Sequence, residues 1–459
     1  MSFTGIIERV FRKYLPSPFT IAVLLTLFTI LMALLFTEST SDQKHWVTIL
    51  RYWESGVWNN GLLVFAYQMM LILVLGHVLV LSKPMEQLIL RLTSFVTNPS
   101  NAALWVALPT MLVSFFNWGL GLIFGAILAR KVGEHAQRNR IPINYPLIGA
   151  CGYVGLMVWH GGISGSAPIK VSEAGHLRSL MENILNSRAL SELPDTLSTS
   201  QTIFSSWNLI VFMIVVVAIS LIAFRMGRIT KPTNLDLPVY HFPMEPDRKP
   251  KGAERLDYAK WLSIAFGVLI LVAFTVQYTP LLKTLNITPN MLNFFMLGLA
   301  LILHGSFHSF LHALQSAIGD ITGILIQFPL YFGIMGIMAG SGMIHGISDF
   351  FVSISNGTTL PIFTFFSAGL VNIFVPSGGG QWAVQGPLVL ESALHLNVPL
   401  PKAIMALAYG DQITNMLQPF WALPLLGITK LKAKEILPYT VIFMLVGSCI
   451  YVLGLLIFA

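Results

Sequence analysis

The stretch that most restricts what this chain can fold into is Phe374 to Pro387, FVPSGGGQWAVQGP, set inside a long apolar segment. Pro376 and Pro387 lack an amide donor, and each of the three glycines costs about 1 kcal/mol relative to alanine in a helix interior, so a continuous helix is disfavoured. In a soluble protein such a run would be a surface loop. Here 55% of residues are hydrophobic, only 10% are charged and mean hydropathy is +0.73, which makes the chain a polytopic membrane protein. Non-helical backbone at membrane depth is tolerated only where protein buries it or where it lines a polar cavity. The stretch therefore predicts a re-entrant hairpin, with Ile362 to Phe374 entering, Ser377 to Gln381 at the tip and Trp382 to Leu390 returning. The free amides and positive end of the returning helix would face an anion at that tip. A packing kink lined by small residues is the plainer alternative.

At roughly 20 apolar residues per crossing, full spans are expected near 18–36, 61–82, 143–160, 203–225, 260–280, 289–304, 321–341, 402–426 and 436–458. The apolar segments 102–130 and 360–391 are too long for one helix and broken in the middle, so each is read as a hairpin. The fold expected is all-α, with about nine transmembrane helices plus two re-entrant hairpins in two inverted-topology repeats. Charge placement agrees with this count, because cytoplasmic loops collect Lys and Arg. Arg9, Arg12, Lys13, Lys83, Arg91, Arg130, Lys131, Arg138, Arg140, the cluster from Arg225 to Lys260, and Lys430, Lys432 and Lys434 all fall on the side of the N-terminus. The opposite side keeps Lys44, Arg51, Lys170, Arg178, Arg188, Lys283 and Lys402. The N-terminus is thus expected in the cytoplasm, with its first apolar run a membrane helix and not a signal peptide. The net charge of +7 is spread along the flanks of spans and forms no nucleic-acid-binding patch. Cys151 and Cys449 lie in apolar runs and imply neither a disulfide framework nor a metal cluster.

Three parts follow: an N-terminal half at 1–229 (hairpin 102–130, broken helix 143–168), a cytoplasmic linker at 230–259 rich in Pro and charge, and a C-terminal half at 260–459 (hairpin 360–391, broken helix 402–426). A shift of 259 positions lays Phe115 on Phe374, Gly119 on Gly378 and Gly121 on Gly380. Letter identity is near chance, and what recurs is the order of helix, glycine-bearing hairpin and interrupted helix. An odd number of crossings between the halves inverts their topology, as alternating-access carriers require.

Four constellations bear on function. The first hairpin has its tip at Asn117 to Gly121, NWGLG, where Asn117, Trp118, Gly119 and Gly121 pair with Ser377, Gly378, Gly379, Gly380 and Gln381 of the second. The interrupted helices are WHGGISGSAP, with His160, Gly161, Gly162 and Ser164, and YGDQITNMLQP, with Asp411, Gln412 and Asn415. Both are dense in oxygen-bearing side chains and helix breakers, the composition that cation ligation and carboxylate-facing donors need. Asp411 is an acid well inside an expected span and is assigned ion coupling, with Asn415 and Ser377. Its plainer reading is a helix cap. His304, His308 and His312 fall at helical spacing without acids or cysteines and read as a polar face. No GxxxxGK[ST], GxSxG or HExxH occurs, so an ATP-driven pump, a serine hydrolase and a zinc protease lack their residues.

The runs FNWGLGLIFGAILAR, WHGGISGS, VPSGGGQWAVQGP and AYGDQITNMLQPFWALP resemble the bacterial short-chain fatty acid transporter family, of the acetoacetate and butyrate permease type within the wider ion transporter superfamily. The resemblance spans nearly the whole chain. It implies an inner-membrane secondary carrier, not an enzyme, that imports short monocarboxylates with H+ or Na+ and needs no cofactor. It carries onto Asn117, Gly119, Gly121, Ser377, Gly378, Gly379, Gly380 and Gln381 at the tips, and onto Gly161, Gly162, Asp411, Gln412 and Asn415 in the broken helices. His160 stands where the family pattern expects glycine. Trp118, Trp382 and Phe420 are expected to supply an apolar wall for the substrate tail. The partners expected are a small monocarboxylate and the lipid bilayer, with no nucleic acid and with a homodimer left open. A dicarboxylate or amino-acid carrier of the same superfamily, and a membrane-embedded enzyme, are the alternatives.

Overall fold

The computed structural model describes residues 18–38, 44–182, 184–239, 250–374 and 377–457. The N-terminal basic cluster, the middle of the linker, and Val375 and Pro376 of the second tip lie outside them, as does the side chain of Phe420. The described residues are helical, with short 3-10 turns and no strands. Five of these helices are long and apolar enough to cross a membrane: Asn60–Val80, Pro99–Phe116, Ser206–Ile229, Lys260–Lys283 and Ala433–Ile457. Their apolar side chains face outward freely on Lys260–Lys283, where Val276 is 77% exposed. A lipid-facing helix needs this, and a soluble one forbids it. The protein is a multi-pass, all-helical membrane protein.

Caps set where the helices start. Asn59, Asn98, Asn144, Ser205 and Thr288 each accept a backbone amide three residues on, which supplies a partner to one of the four N–H groups that a helix start leaves unpaired. Asn117 and Ser377 do the same for Leu120 and Gly380 at 2.7 and 3.2 Å, and they do it in the middle of the two long apolar segments. Pro99–Phe116 therefore stops at Asn117 and Trp118–Arg138 begins there, while Leu360–Phe374 and Gly378–His395 flank the second break. Contacts across the breaks run in antiparallel register. A Cβ on Gly121 would meet Ser114 and one on Gly125 would meet Thr110, while Gln381 and Gln385 bond Ala368 and Ser367 of the opposite arm. Both segments are helical hairpins. The glycines of the second tip do not break the helix as their propensity suggested; capped by Ser377, they form its first turn.

Two further arrangements were not expected. His45–Val57, Lys83–Thr93, Phe307–Ala317 and Met343–Ile354 are short helices between the apolar spans. Arg130 and Lys131, read from the sequence as loop charges, are buried in the second arm of the first hairpin and both pair with Glu134. The described part of the linker is bound down: Thr233 bonds Ile143 and Tyr145, and Lys231 accepts from Asn144.

Candidate functional site

The two interrupted helices fold around the hairpin tips. In the first, Tyr145–Cys151 gives way to a 3-10 turn at Val154–Met157, and helix resumes only at Ser166–Lys170. The irregular backbone between them is stitched to the first tip. Ile163 N donates to Phe115 O at 2.7 Å, and Trp118 N donates to Ser164 Oγ at 2.9 Å. A Cβ on Gly162 would lie 2.3 Å from Phe115 O, so only glycine permits this approach. In the second, Leu400–Thr414 passes through a 3-10 turn at Asn415–Leu417 into Pro419–Thr429. Asn372 of the second hairpin holds that turn, its amide reaching Asp411 O, Thr414 Oγ1 and Asn415 Oδ1 at 2.6 to 2.9 Å.

Between the four pieces lies a small cavity of about 20 Å³, room for about one water. The first tip gives it Trp118, the second Ser377, Gly378 and Gly379, and the interrupted helices Leu156, Trp159, Ser166, Asn415 and Trp421. Met69 and Phe328 close it. Three indoles form one wall: Trp118 packs at 5.6 Å from Trp159 and edge-on to Trp421 at 5.3 Å. The indole N–H groups of Trp118 and Trp159 are buried with no acceptor among the described residues. Such a donor costs about 1–3 kcal/mol when left unpaired.

Behind Gly378 sits a second layer. A Cβ on that glycine would be 2.6 Å from the Trp159 ring and 2.9 Å from the His160 ring, which stacks on Trp159 at 4.6 Å. His160 Nδ1 meets Asp411 Oδ2 at 2.5 Å, fully buried. The backbone N–H of Ala167 donates to His160 Nε2 at 3.1 Å, so the ring carries its proton on Nδ1 and donates it to the carboxylate. Gln412 Oε1 accepts the amides of His160 and Gly161, and the second carboxylate oxygen, Asp411 Oδ1, is buried with no partner.

The other residues singled out in the sequence take different places. Asn117 faces the Asn60–Val80 helix, its amide on Ile72 O and its oxygen on the cap. Gly119 packs on Leu73, Gly121 on Ser114 and Gly380 on Tyr331. Gln381 turns into its own hairpin and Trp382 N–H donates to His176, which leaves Trp382 out of the cavity wall. His304 and His308 have separate partners, Val78 O and Tyr258. Sequence reading missed Met69, Leu156, Trp159, Ser166, Phe328 and Trp421. Of these, Trp159, Ser166 and Trp421 lay inside motifs already singled out, though none was assigned to the site.

Helical hairpins beside this cavity, among apolar helices, make up a fold that two solved membrane transporters share. The YdaH transporter of Alcanivorax borkumensis shares it with a TM-score of 0.55 at 14% identity, over 96% of this chain and 97% of that one. MtrF of Neisseria gonorrhoeae shares it with a TM-score of 0.51 at 12% identity, over 98% and 97%. The sequence model described as short chain fatty acid transporter matches residues 2–458, and the chain belongs to that family. A relative from Escherichia coli (strain K12) is 34% identical over 457 residues, 98% of both chains. One from Haemophilus influenzae is 33% identical over 449 residues, 96% of both. Both carry the short-chain fatty acid transporter name.

Proposed function

We propose that the protein is a secondary active transporter of the bacterial inner membrane, N-terminus cytoplasmic, that imports short monocarboxylates together with H+ or Na+. The observation that carries this reading is the pair of unpartnered indole donors in the cavity beside Gly378. A carboxylate has two acceptor oxygens and no donor, so Trp118 and Trp159 would each take one bond. The first-turn amides of Gly378–His395 add the positive end of a helix dipole. Met69, Leu156, Phe328 and Trp421 supply apolar surface for a short alkyl tail. Among the described residues no Arg or Lys lines the cavity, which suits one carboxylate better than two.

Asp411 is the coupling acid. Its Oδ1 is buried without a partner among the described residues, and Gly378 and His160 link it to the cavity. The hairpins re-enter from opposite sides in two inverted halves, and the linker at 230–259 joins them. Alternating access then moves one half against the other around the tips. Uptake of labelled acetate, butyrate and acetoacetate into proteoliposomes, under separately imposed Na+ and pH gradients, tests the reading. Saturable uptake that collapses without a gradient is expected, and butyrate uptake indifferent to both gradients refutes it.

A further inference from the structure

One helical turn from the cavity the protein already holds a carboxylate in a built site. Ser166 and Met69 line the cavity and touch each other, and one turn further along the same two helices Lys170 lies over the Phe65 ring, 5.5 Å from its centre. Lys170 and Gln68 are 4% and 3% exposed. Both donate to Glu173: Gln68 Nε2 to Oε1 at 2.7 Å, and Lys170 Nζ to Oε2. Gln68 is itself oriented, its Oε1 accepting from Lys170 at 2.9 Å and its backbone oxygen from Asn293 at 3.0 Å. One ammonium and one amide, each bonded to a different oxygen of one carboxylate, match the chemistry of the substrate's charged end. Glu173 retains 19% side-chain exposure, so its side chain is partly exposed while its partners are buried. Phe65 and Phe328, 6.4 Å apart, both contact Gly379 and form an apolar partition between this site and the cavity.

We propose that Lys170 and Gln68 form an outer subsite for the substrate carboxylate, which Glu173 occupies as a tethered surrogate until an incoming monocarboxylate displaces it. The proposal rests on the transport reading above and adds a stage to it. A buried lysine is costly without an anion beside it. Glu173 keeps Lys170 paired between cycles, and exchange of one carboxylate for another never strands the charge. The substrate then waits one turn from the cavity, behind Phe65 and Phe328.

The test uses full-length protein in proteoliposomes, with initial rates of labelled butyrate uptake and butyrate binding by tryptophan fluorescence. A carboxylate tethered three residues away competes at an effective concentration on the order of millimolar. Glu173→Gln, which keeps the shape and a hydrogen bond to Lys170, is expected to lower KM about threefold or more. Lys170→Met is expected to raise it about tenfold, Lys170→Arg to recover most of that loss, and Lys170→Met with Glu173→Gln to behave as Lys170→Met alone. If the ion pair is only a structural staple, both single variants shift KM and melting temperature in the same unfavourable direction, and the subsite is refuted. Should Lys170→Met fail to fold, Glu173→Gln decides alone, and an unchanged or raised KM refutes the subsite. Wild-type protein that neither binds nor takes up butyrate refutes the transport reading and the subsite with it.

Discussion

Replacing Trp118 by Phe separates what its ring does from what its N–H does. The ring packs between Trp159 and Trp421, and a phenyl group keeps most of that contact. The N–H is buried with no acceptor among the described residues. Without substrate, its loss removes an unpaired donor worth about 1–3 kcal/mol. The smaller ring gives up a few carbons, at about 0.8 kcal/mol each. These two changes nearly offset, so the melting temperature of Trp118→Phe should stay within a few degrees of wild type. With substrate the balance differs, because a hydrogen bond to a charged group is worth about 1.5–3 kcal/mol and the phenyl group has none to offer. At 1.4 kcal/mol per factor of ten, butyrate affinity should fall about 10- to 150-fold. Scintillation proximity binding on purified protein in nanodiscs, with thermal unfolding on the same preparation, gives both numbers. Affinity within about twofold of wild type would mean that the indole N–H does not touch the carboxylate. A loss of affinity matched by a proportional loss of stability would make Trp118 a packing residue.

Two other perturbations follow from the same geometry. Gly121→Ala places a Cβ 2.6 Å from Ser114 Cα, which is backbone and cannot turn away, so the arms of the first hairpin must part. A loss of about 1–3 kcal/mol is expected in unfolding midpoints, whereas Gly427→Ala, with nothing within 4 Å, should be near neutral. His176 is held neutral as the acceptor of the Trp382 N–H, its pKa lowered from 6.5 to about 3 by burial and then by the Lys170 charge. A depressed histidine contributes stability above its unfolded pKa and loses it as pH falls, so at pH 5 the cost approaches about 2 kcal/mol. Hydrogen exchange across 176–182 should therefore quicken between pH 7.5 and 5, and His176→Gln should flatten that slope.

Both breaks were readable because a glycine or proline at membrane depth has few permitted explanations, and Asn117 and Ser377 mark where the chain turns. What glycine composition could not say was how each residue is used. Gly121 and Gly162 serve close backbone approach, whereas Gly378 and Gly379 line the cavity. Nor could it foresee that one capping serine lets three glycines start a helix. The cavity wall itself was hidden. Asn60–Val80 is apolar around most of its circumference, so nothing in its pattern distinguishes Met69, which lines the cavity, from its apolar neighbours. Likewise the Gln68–Glu173 bond joins residues 105 positions apart, and no local rule pairs them.

The placement of unpaired groups leads to a last prediction, about coupling. Trp118 and Trp159, whose indole N–H groups have no partner among the described residues, line the cavity, while Asp411 Oδ1, a carboxylate oxygen also without one, lies behind Gly378 and His160. An anion in front and a cation or proton behind each lower the cost of burying the other, because isolated charges in a low-dielectric site are expensive. Linkage makes this reciprocal: whatever factor the coupling ion adds to butyrate affinity, butyrate must add to affinity for the ion. With a coupling free energy of about 1–3 kcal/mol, as is common, that factor is about 5- to 150-fold. Asp411→Asn keeps an oxygen for His160 Nδ1 and removes the charge. Butyrate binding to this variant should therefore persist but lose its dependence on Na+ and on pH, and uptake should equilibrate without concentrating. If the variant concentrates butyrate with the ion dependence of wild type, the coupling ion is held elsewhere and Asp411 serves only to orient His160.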